Sequence, residues 1–270
     1  MNGRTTPVTC SASPATRDSG IARSLLVRGL VVGLVAGLLA FVVARIIGEP
    51  QVQHAVDFES YLAKLHHEPD GSERVSRGLQ RSFGLLTGTL FMGVALGGIF
   101  SLAFAYAYGR IGAMSPRMTA AVLAAGAYLT IVLVPFTKYP ANPPAIGNPD
   151  TIGHRTVAYF LMIAICVLGA IAAVRIRRQL LARLGAWNAT LVAVAGFVIV
   201  VGVAELILPA FHETPAGFPA DVLYSFRLAS LGVSLTLWTT IGLGFGAVAQ
   251  RLLIPRSDHA FAPTAATRAQ

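Results

Sequence analysis

Residues 135–156 read PFTKYPANPPAIGNPDTIGHRT and contain five prolines and two glycines between long apolar runs. Proline fixes φ and removes a backbone N–H donor, so this proline-rich segment predicts a break between helices. Its carbonyl groups lack helical partners, and an unpaired polar group in lipid costs several kcal/mol. We therefore expect the segment to lie outside the bilayer or to line a wet cavity. A rigid interhelical loop and the mouth of a cation pathway are both consistent with it.

The composition is that of an integral membrane protein. Of the 270 residues, 54% are hydrophobic and 12% are charged, whereas a soluble domain carries about 25% charged residues. The net charge of +9 ordinarily sets topology and meets lipid headgroups, which predicts the lipid bilayer and not nucleic acid as partner. Two cysteines make no disulfide framework. Enzyme motifs are absent from the sequence, which predicts a protein that is not an enzyme.

The apolar runs predict an all-α, polytopic membrane protein with six transmembrane helices between residues 23 and 251. The predicted spans are 24–47, 82–108, 118–136, 151–174, 187–208 and 228–250. Residues 1–22 and 252–270 are predicted to be disordered tails. Pro50 is expected to end the first span. Residues 48–82 and 137–156 are expected to be extracytoplasmic loops.

Six spans place both termini on one side of the membrane. The tails and the turns at 109–117 and 175–186, with the adjoining helix ends, hold 13 of the 21 lysines and arginines. Positive charge marks the cytoplasmic side, so we predict that both termini are cytoplasmic. Every acid except Asp18 and Asp258 then lies away from the cytoplasm, which predicts an acidic, extracytoplasmic loop cluster.

Several stretches together resemble the CbtA family of predicted cobalt transporter subunits. They are GEP (48–50), RSFGLLTGTL (81–90), GVALGGIF (93–100), YGR (108–110), VPFTKYPANPPAIGNPDTIGHRT (134–156), GAWNA (185–189) and FRLASLG (226–232). The resemblance implies an inner-membrane protein of cobalt uptake, with Co²⁺ as the transported ion and no permanently bound cofactor. It also implies a partner, a small single-span CbtB-type subunit, and we further consider a homo-oligomer.

The predicted outer side carries ligands that suit Co²⁺, which takes imidazole nitrogen and carboxylate or carbonyl oxygen. We predict that seven residues contact the metal: Asp150, His154, Glu205, His212, Glu213, His54 and Asp57. Six more are predicted to line or organise the pathway: Lys138, Tyr139, Asn142, Arg155, Asp221 and Arg227. Asp150 and His154 are four residues apart and would share one helix face. An N-cap followed by an interfacial histidine explains that spacing equally well.

Glu205 is the one clear acid within an apolar run, VGVAELILP at 201–209. A carboxylate inside a membrane is energetically expensive and needs a partner or a wet pocket. Arg155 and Arg227, at outer helix ends, are candidate partners. Because a guanidinium has no acceptor, it cannot ligate a cation and would instead organise carboxylates. A structural ion pair and a place on the cation path both remain open for Glu205.

Two functions follow as hypotheses. The first is a subunit that passes cobalt inward from an acidic, histidine-containing outer vestibule. The second is a non-catalytic membrane scaffold or assembly partner for a small transporter subunit, with small-residue faces as docking surfaces. Those faces recur at every fourth position in the first two spans: Gly29, Gly33 and Gly37, then Thr89, Gly93, Gly97 and Ser101.

Overall fold

The protein is all-helical in a computed structural model that describes residues 14–65, 76–144, 146–211 and 213–254. The α-helices are α1 (Pro14–Val43), α2 (Glu49–Leu65), α3 (Arg77–Leu79), α4 (Leu85–Ala107), α5 (Pro116–Ala127), α6 (Val134–Lys138), α7 (Ile152–Ile207) and α8 (Ala220–Leu253). Five helical stretches are long and apolar enough to cross a membrane: Gly20–Leu65, Arg77–Ala107, Pro116–Lys138, Pro149–Ile207 and Ala220–Leu253. These stretches confirm an all-α protein with several membrane-spanning candidates.

Helix α1 begins at Pro14, within the predicted N-terminal tail, and α8 ends at Leu253, within the predicted C-terminal tail. Residues 1–13 and 255–270 of the two tails lie outside the described residues. The expected helix end at Pro50 is wrong. A π-helical turn, Ala44–Gly48, joins α1 to α2, and Pro50 lies in the first turn of α2. The chain is helical on both sides of Pro50, and the π-helical turn lies directly before the residue whose ring and missing N–H would disrupt a regular α-helical turn. Much of the predicted loop 48–82 is therefore helix.

Helices α1 and α4 pack with their backbones in close contact. A Cβ placed on Gly33 would lie 2.2 Å from the carbonyl oxygen of Gly93, and one on Gly97 would lie 2.3 Å from that of Gly29. Residue numbers fall along α4 as they rise along α1, so the two helices run antiparallel. Small side chains permit this approach. The small-residue faces of the first two spans therefore pack against each other within the chain.

Helix α8 lies between α1 and α5 and carries the centre of the core. Glycines again set the spacing on both sides, because Gly242 lies against Ala124 of α5 and Gly244 against Val32 of α1. Aromatic rings fill the remaining space. These rings belong to Phe100, Phe104, Trp238 and Phe245, and adjacent rings meet edge to face. Both neighbours of α8 run antiparallel to it.

Helix α7 folds back on itself. Gly185 has φ 73° and ψ 170°, which is not helical and is adopted almost exclusively by glycine. The buried side chains of Met162, Cys166 and Ala204 pack in one cluster, although a straight helix would separate Cys166 from Ala204 by about 57 Å. The two limbs, residues 152–184 and 186–207, therefore form an antiparallel hairpin.

Candidate functional site

Among its described residues, the proline-rich segment is irregular only over 139–144 and 146–148. Helix α6 includes Pro135 and extends to Lys138, and a 3₁₀ turn, Pro149–Thr151, leads directly into α7. A π-helical turn, Tyr128–Leu133, joins α5 to α6, so Pro135 lies inside one continuous helical stretch. The predicted break between helices is thus present but shorter than the density of prolines indicates.

Hydrogen bonds to the end of α7 and the start of α8 hold the proline-rich segment in place. The Tyr139 hydroxyl donates a 2.7 Å hydrogen bond to the carbonyl of Pro209. From α8, the Arg227 guanidinium donates to the Asn142 side-chain oxygen at 3.1 Å and to the Ala141 carbonyl at 3.4 Å. Such anchors satisfy carbonyls that prolines leave without helical partners. Arg227 therefore organises the segment's own oxygens and is not bonded to Glu205.

Glu213 ties the segment between α7 and α8 to the start of α7. One carboxylate oxygen accepts from the Thr151 hydroxyl at 2.5 Å. The other accepts from the Asn148 backbone N–H at 2.8 Å and lies 3.3 Å from the Arg155 guanidinium. Hydrogen bonds to the charged form lower the pKa of Glu213, first that from Thr151, then that from Asn148, with Arg155 adding to them. Glu213 is thus ionised and held in place.

Gly147 makes room for the Arg155 side chain in this network. Its φ is +130°, and a Cβ at this position would lie 2.6 Å from the Arg155 guanidinium. Arg155 also donates a 3.3 Å hydrogen bond to the Asn148 carbonyl. Any side chain at 147 would be strained and would displace the guanidinium. Arg155 therefore organises Glu213 and not Glu205, for which the sequence suggested Arg155 as a candidate partner.

Glu205 lies in the last turn of α7, two residues before its end, beside the end of α6. Its carboxylate accepts a 2.6 Å hydrogen bond from the Thr137 hydroxyl, while the Lys138 ammonium donates to the Glu205 backbone carbonyl. Within the described ranges, the only ion pairs are Glu49–Arg77 and Glu213–Arg155. The Glu205 carboxylate consequently has a hydroxyl donor and no basic partner in that part of the chain.

Tyr139 extends the surroundings of Glu205 toward the proline-rich segment. Burial, and next the negative charge of Glu205, raise the pKa of the Tyr139 phenol above its ordinary value. The phenol is therefore protonated at neutral pH and donates to the Pro209 carbonyl. Tyr139 also packs in the cluster of Met162 and Cys166. This places Glu205 near the level of those two residues along the first limb of α7.

Helix α2 packs against the segment that precedes α8. Ala55 is fully buried, and the Phe58 and Phe218 rings meet edge to face at 5.1 Å. Ile146 of the proline-rich segment packs into the same cluster. Three stretches that are distant in sequence therefore contact one another at the ends of α1, α6 and α7.

The remaining predicted metal ligands are dispersed. Asp150, His154, His54 and Asp57 are exposed, and Asp57 accepts a hydrogen bond from Gln53. His212, like His66 and His67, lies outside the described residues. Asp221 is exposed in the first turn of α8. Among the side chains that the structure describes, no group of three His, Cys, Asp or Glu is close enough to hold a metal ion.

Three polar residues in these contacts were not predicted from the sequence. The contacts of Thr137 with Glu205 and of Thr151 with Glu213 give no signal in the sequence, because a hydroxyl near a carboxylate depends on tertiary contacts. Asn148 could have been found, since its position before Pro149-Asp150 suits a cap, and its side chain does accept from the Asp150 N–H at 3.0 Å. The buried Glu49, 8% exposed, pairs with Arg77 at 2.8 Å and not with Arg45 four residues earlier.

These helices define a multi-pass membrane protein. The family described as probable cobalt transporter subunit (CbtA) matches residues 22–250 of the chain. The chain therefore belongs to the CbtA family, as its resemblance in sequence implies, and the description as a subunit implies a partner. No curated protein and no solved structure gave a match.

Proposed function

We propose that the chain passes Co²⁺ inward across the inner membrane and that Glu205 lies on the ion's path. The observation that carries this proposal is the acceptor-only Glu205 carboxylate in a membrane-spanning stretch, bonded to Thr137 without a basic partner in the described residues. Ionisable groups within membrane segments mark ion pathways when they are not neutralised by a structural partner. A divalent cation would supply that missing charge.

The positions of the other predicted ligands support a route that leads to Glu205. Asp150 and His154 are exposed at the start of α7, where a hydrated cation can reach them. Met162, which lies near the level of Glu205, is about 15 Å further along the first limb. Separate, weak contacts along such a distance suit passage better than one tight site, because an ion must leave each contact as readily as it enters.

We propose that α2, the proline-rich segment and the stretch before α8 form the outer, extracytoplasmic loop cluster. Their mutual contacts support one shared face, and the distribution of lysines and arginines supports cytoplasmic termini. With this orientation, two positive charges moving inward would gain about 4.6 kcal/mol at a potential of about 100 mV, inside negative. Passage would then need no nucleotide hydrolysis by this chain.

Cobalt accumulation in cells without their own cobalt uptake tests the proposal. The chain is expressed with and without a small single-span CbtB-type subunit, and its amount in the membrane is measured in parallel. We expect Glu205→Gln to lower accumulation about tenfold, which corresponds to about 1.4 kcal/mol, at an unchanged protein level. Glu59→Gln is the matched control, because Glu59 is an exposed glutamate on α2, and it should leave accumulation unchanged.

If cells that express Glu205→Gln accumulated as much cobalt as cells with the unaltered chain, the proposal that Glu205 lies on the ion's path would be rejected. A protein level that falls together with accumulation would assign Glu205 a structural role. If the unaltered chain gave no accumulation with or without its partner, inward transport itself would be rejected.

The alternative function, a scaffold for a small subunit, requires small-residue faces that are free to dock a partner. The small-residue faces of α1 and α4 that it uses as docking surfaces are packed against each other within the chain. Assembly with a partner that persists in Glu205→Gln while transport is lost would separate the two roles.

A further inference from the structure

A second candidate site lies at the turn of the α7 hairpin, far along the chain from Glu205. Residues 175–183 read RIRRQLLAR and hold four arginines, and no acid occurs between Asp150 and Glu205. The turn directly follows an apolar run of the first limb. Its arginines therefore lie where a membrane-spanning helix leaves the hydrocarbon and meets lipid headgroups.

The arginines of this turn face two directions. Arg177 is directed at the second limb, where its Nε donates a 2.8 Å hydrogen bond to the Thr190 hydroxyl. Arg175, Arg178 and Gln179, which are three and four residues apart, share another face of the helix. These three residues line a pocket of about 360 Å³. One arginine thus braces the hairpin, and two lie with Gln179 on an exposed face of the helix, around a wide and shallow opening.

The chemistry of this exposed face suits an anion with several acceptor oxygens. Neither Arg175 nor Arg178 has an acidic partner among the described residues. Guanidinium groups pair with phosphate oxygens through two parallel N–H donors, and Gln179 adds an amide donor. Basic pockets at helix ends on the membrane surface bind the headgroups of anionic lipids.

We infer that Arg175, Arg178 and Gln179 bind a phosphate group, carried either by the headgroup of an anionic phospholipid or by free inorganic phosphate. This site is independent of the cobalt path. It holds the hairpin turn at the membrane surface whichever way the ion moves. The second limb of α7, which carries Glu205, is thereby fixed at its other end.

Ligand-dependent thermal stabilisation of the delipidated full-length chain in neutral detergent tests the inference. The probes are phosphatidylglycerol, phosphatidylcholine with the same acyl chains, and inorganic phosphate. Arg175→Gln/Arg178→Gln removes the pocket, and Arg117→Gln/Arg183→Gln is the matched control. The control also removes two positive charges, but from exposed arginines that do not line this pocket.

We expect phosphatidylglycerol or inorganic phosphate to raise the melting temperature of the unaltered chain and of the control, and phosphatidylcholine not to do so. The probe that acts identifies the source of the phosphate. In Arg175→Gln/Arg178→Gln, the half-saturating concentration should rise about 25-fold, the loss expected for two arginines at a membrane surface. If the double variant does not fold, each single variant should show about a fivefold rise.

Three results would overturn the inference. The first is equal stabilisation by phosphatidylcholine and phosphatidylglycerol, and the second is no stabilisation by any probe. The third is an equal loss in the control variant, because binding would then follow overall charge and not this pocket.

Discussion

Glu205 and Glu213 are separated by eight residues and have opposite surroundings. Glu213 receives a hydroxyl, a backbone N–H and a guanidinium, so its charge is compensated by groups that the fold fixes. Glu205 receives only the Thr137 hydroxyl on its carboxylate. The first arrangement is typical of a structural carboxylate and the second leaves capacity for a cation. These contacts, more than residue type, separate the two roles that we propose.

The lowered pKa of Glu213 predicts a dependence of stability on pH. Because the folded-state pKa is below the ordinary value of 4.5, ionised Glu213 stabilises the fold above that pH. The stabilisation should be lost progressively as pH falls below 4.5 toward the folded-state pKa. Thermal unfolding of the purified chain between pH 7 and about pH 3.5 measures this loss.

Two variants give that measurement its controls. Glu213→Gln should be less stable than the unaltered chain at pH 7 and should lose less stability on acidification. Glu59→Gln, an exposed glutamate on α2, should keep the full acid sensitivity. An unaltered pH profile in Glu213→Gln would show that this network does not contribute to stability.

At the scale of elements, glycine determines where helices can touch and where they must turn. In α4, Gly97 lies against the α1 backbone, whereas Gly88, nine residues earlier, has no atom within 4 Å of the position of a Cβ. In α7, the positive φ of Gly185 permits the hairpin. The same residue type thus has three different consequences within one bundle.

Gly97→Ala should destabilise the bundle by about 1–3 kcal/mol, the usual range for overpacking a close contact. The added methyl group would meet the Gly29 carbonyl at 2.3 Å, so α1 and α4 would have to separate. Denaturation in mixed detergent micelles gives the free energy of unfolding. Gly88→Ala should be neutral or stabilising, since alanine favours helix by about 1 kcal/mol over glycine. Equal effects of the two substitutions would contradict the close packing.

The sequence predicted elements better than it predicted their ends and partners. Long apolar runs identify α1 and α4 as helices, and small residues at every fourth position identify their packing faces, because both signals are local. The expected helix end at Pro50 was wrong, because no local sequence pattern predicts the π-helical turn before it. The contacts of Arg155 and Arg227 also depend on how distant segments meet, so the sequence offered Glu205 where the structure places Glu213 and Asn142.

At the scale of the whole molecule, the α7 hairpin decides how often the chain crosses the membrane. One long stretch, Pro149–Ile207, is apolar enough to span, and its two limbs fold back at Gly185. If each limb crosses, six crossings result and both termini share one side. We expect that arrangement, with the hairpin turn in the cytoplasm.

Labelling of single cysteines in intact cells tests the number of crossings. In a chain with Cys10→Ser, the remaining Cys166 is buried and should not react. A membrane-impermeant maleimide should label Ala216→Cys directly and label Ala186→Cys only after permeabilisation. Both residues are exposed, so accessibility to the reagent depends on the side of the membrane. Labelling of Ala186→Cys in intact cells would exclude a cytoplasmic turn.

The backbone contact between α1 and α4 also limits which parts of the protein can move. Those helices, with α8 wedged against α1 and α5, can slide only if glycine-to-carbonyl contacts break. The α7 hairpin instead meets its neighbours through a small side-chain cluster that includes Val134 and Tyr139, and through the hydrogen bonds from the end of α6 to Glu205. A rocking motion that exposes an ion first to one aqueous compartment and then to the other would therefore be carried by the hairpin, swinging as a unit against a stationary frame.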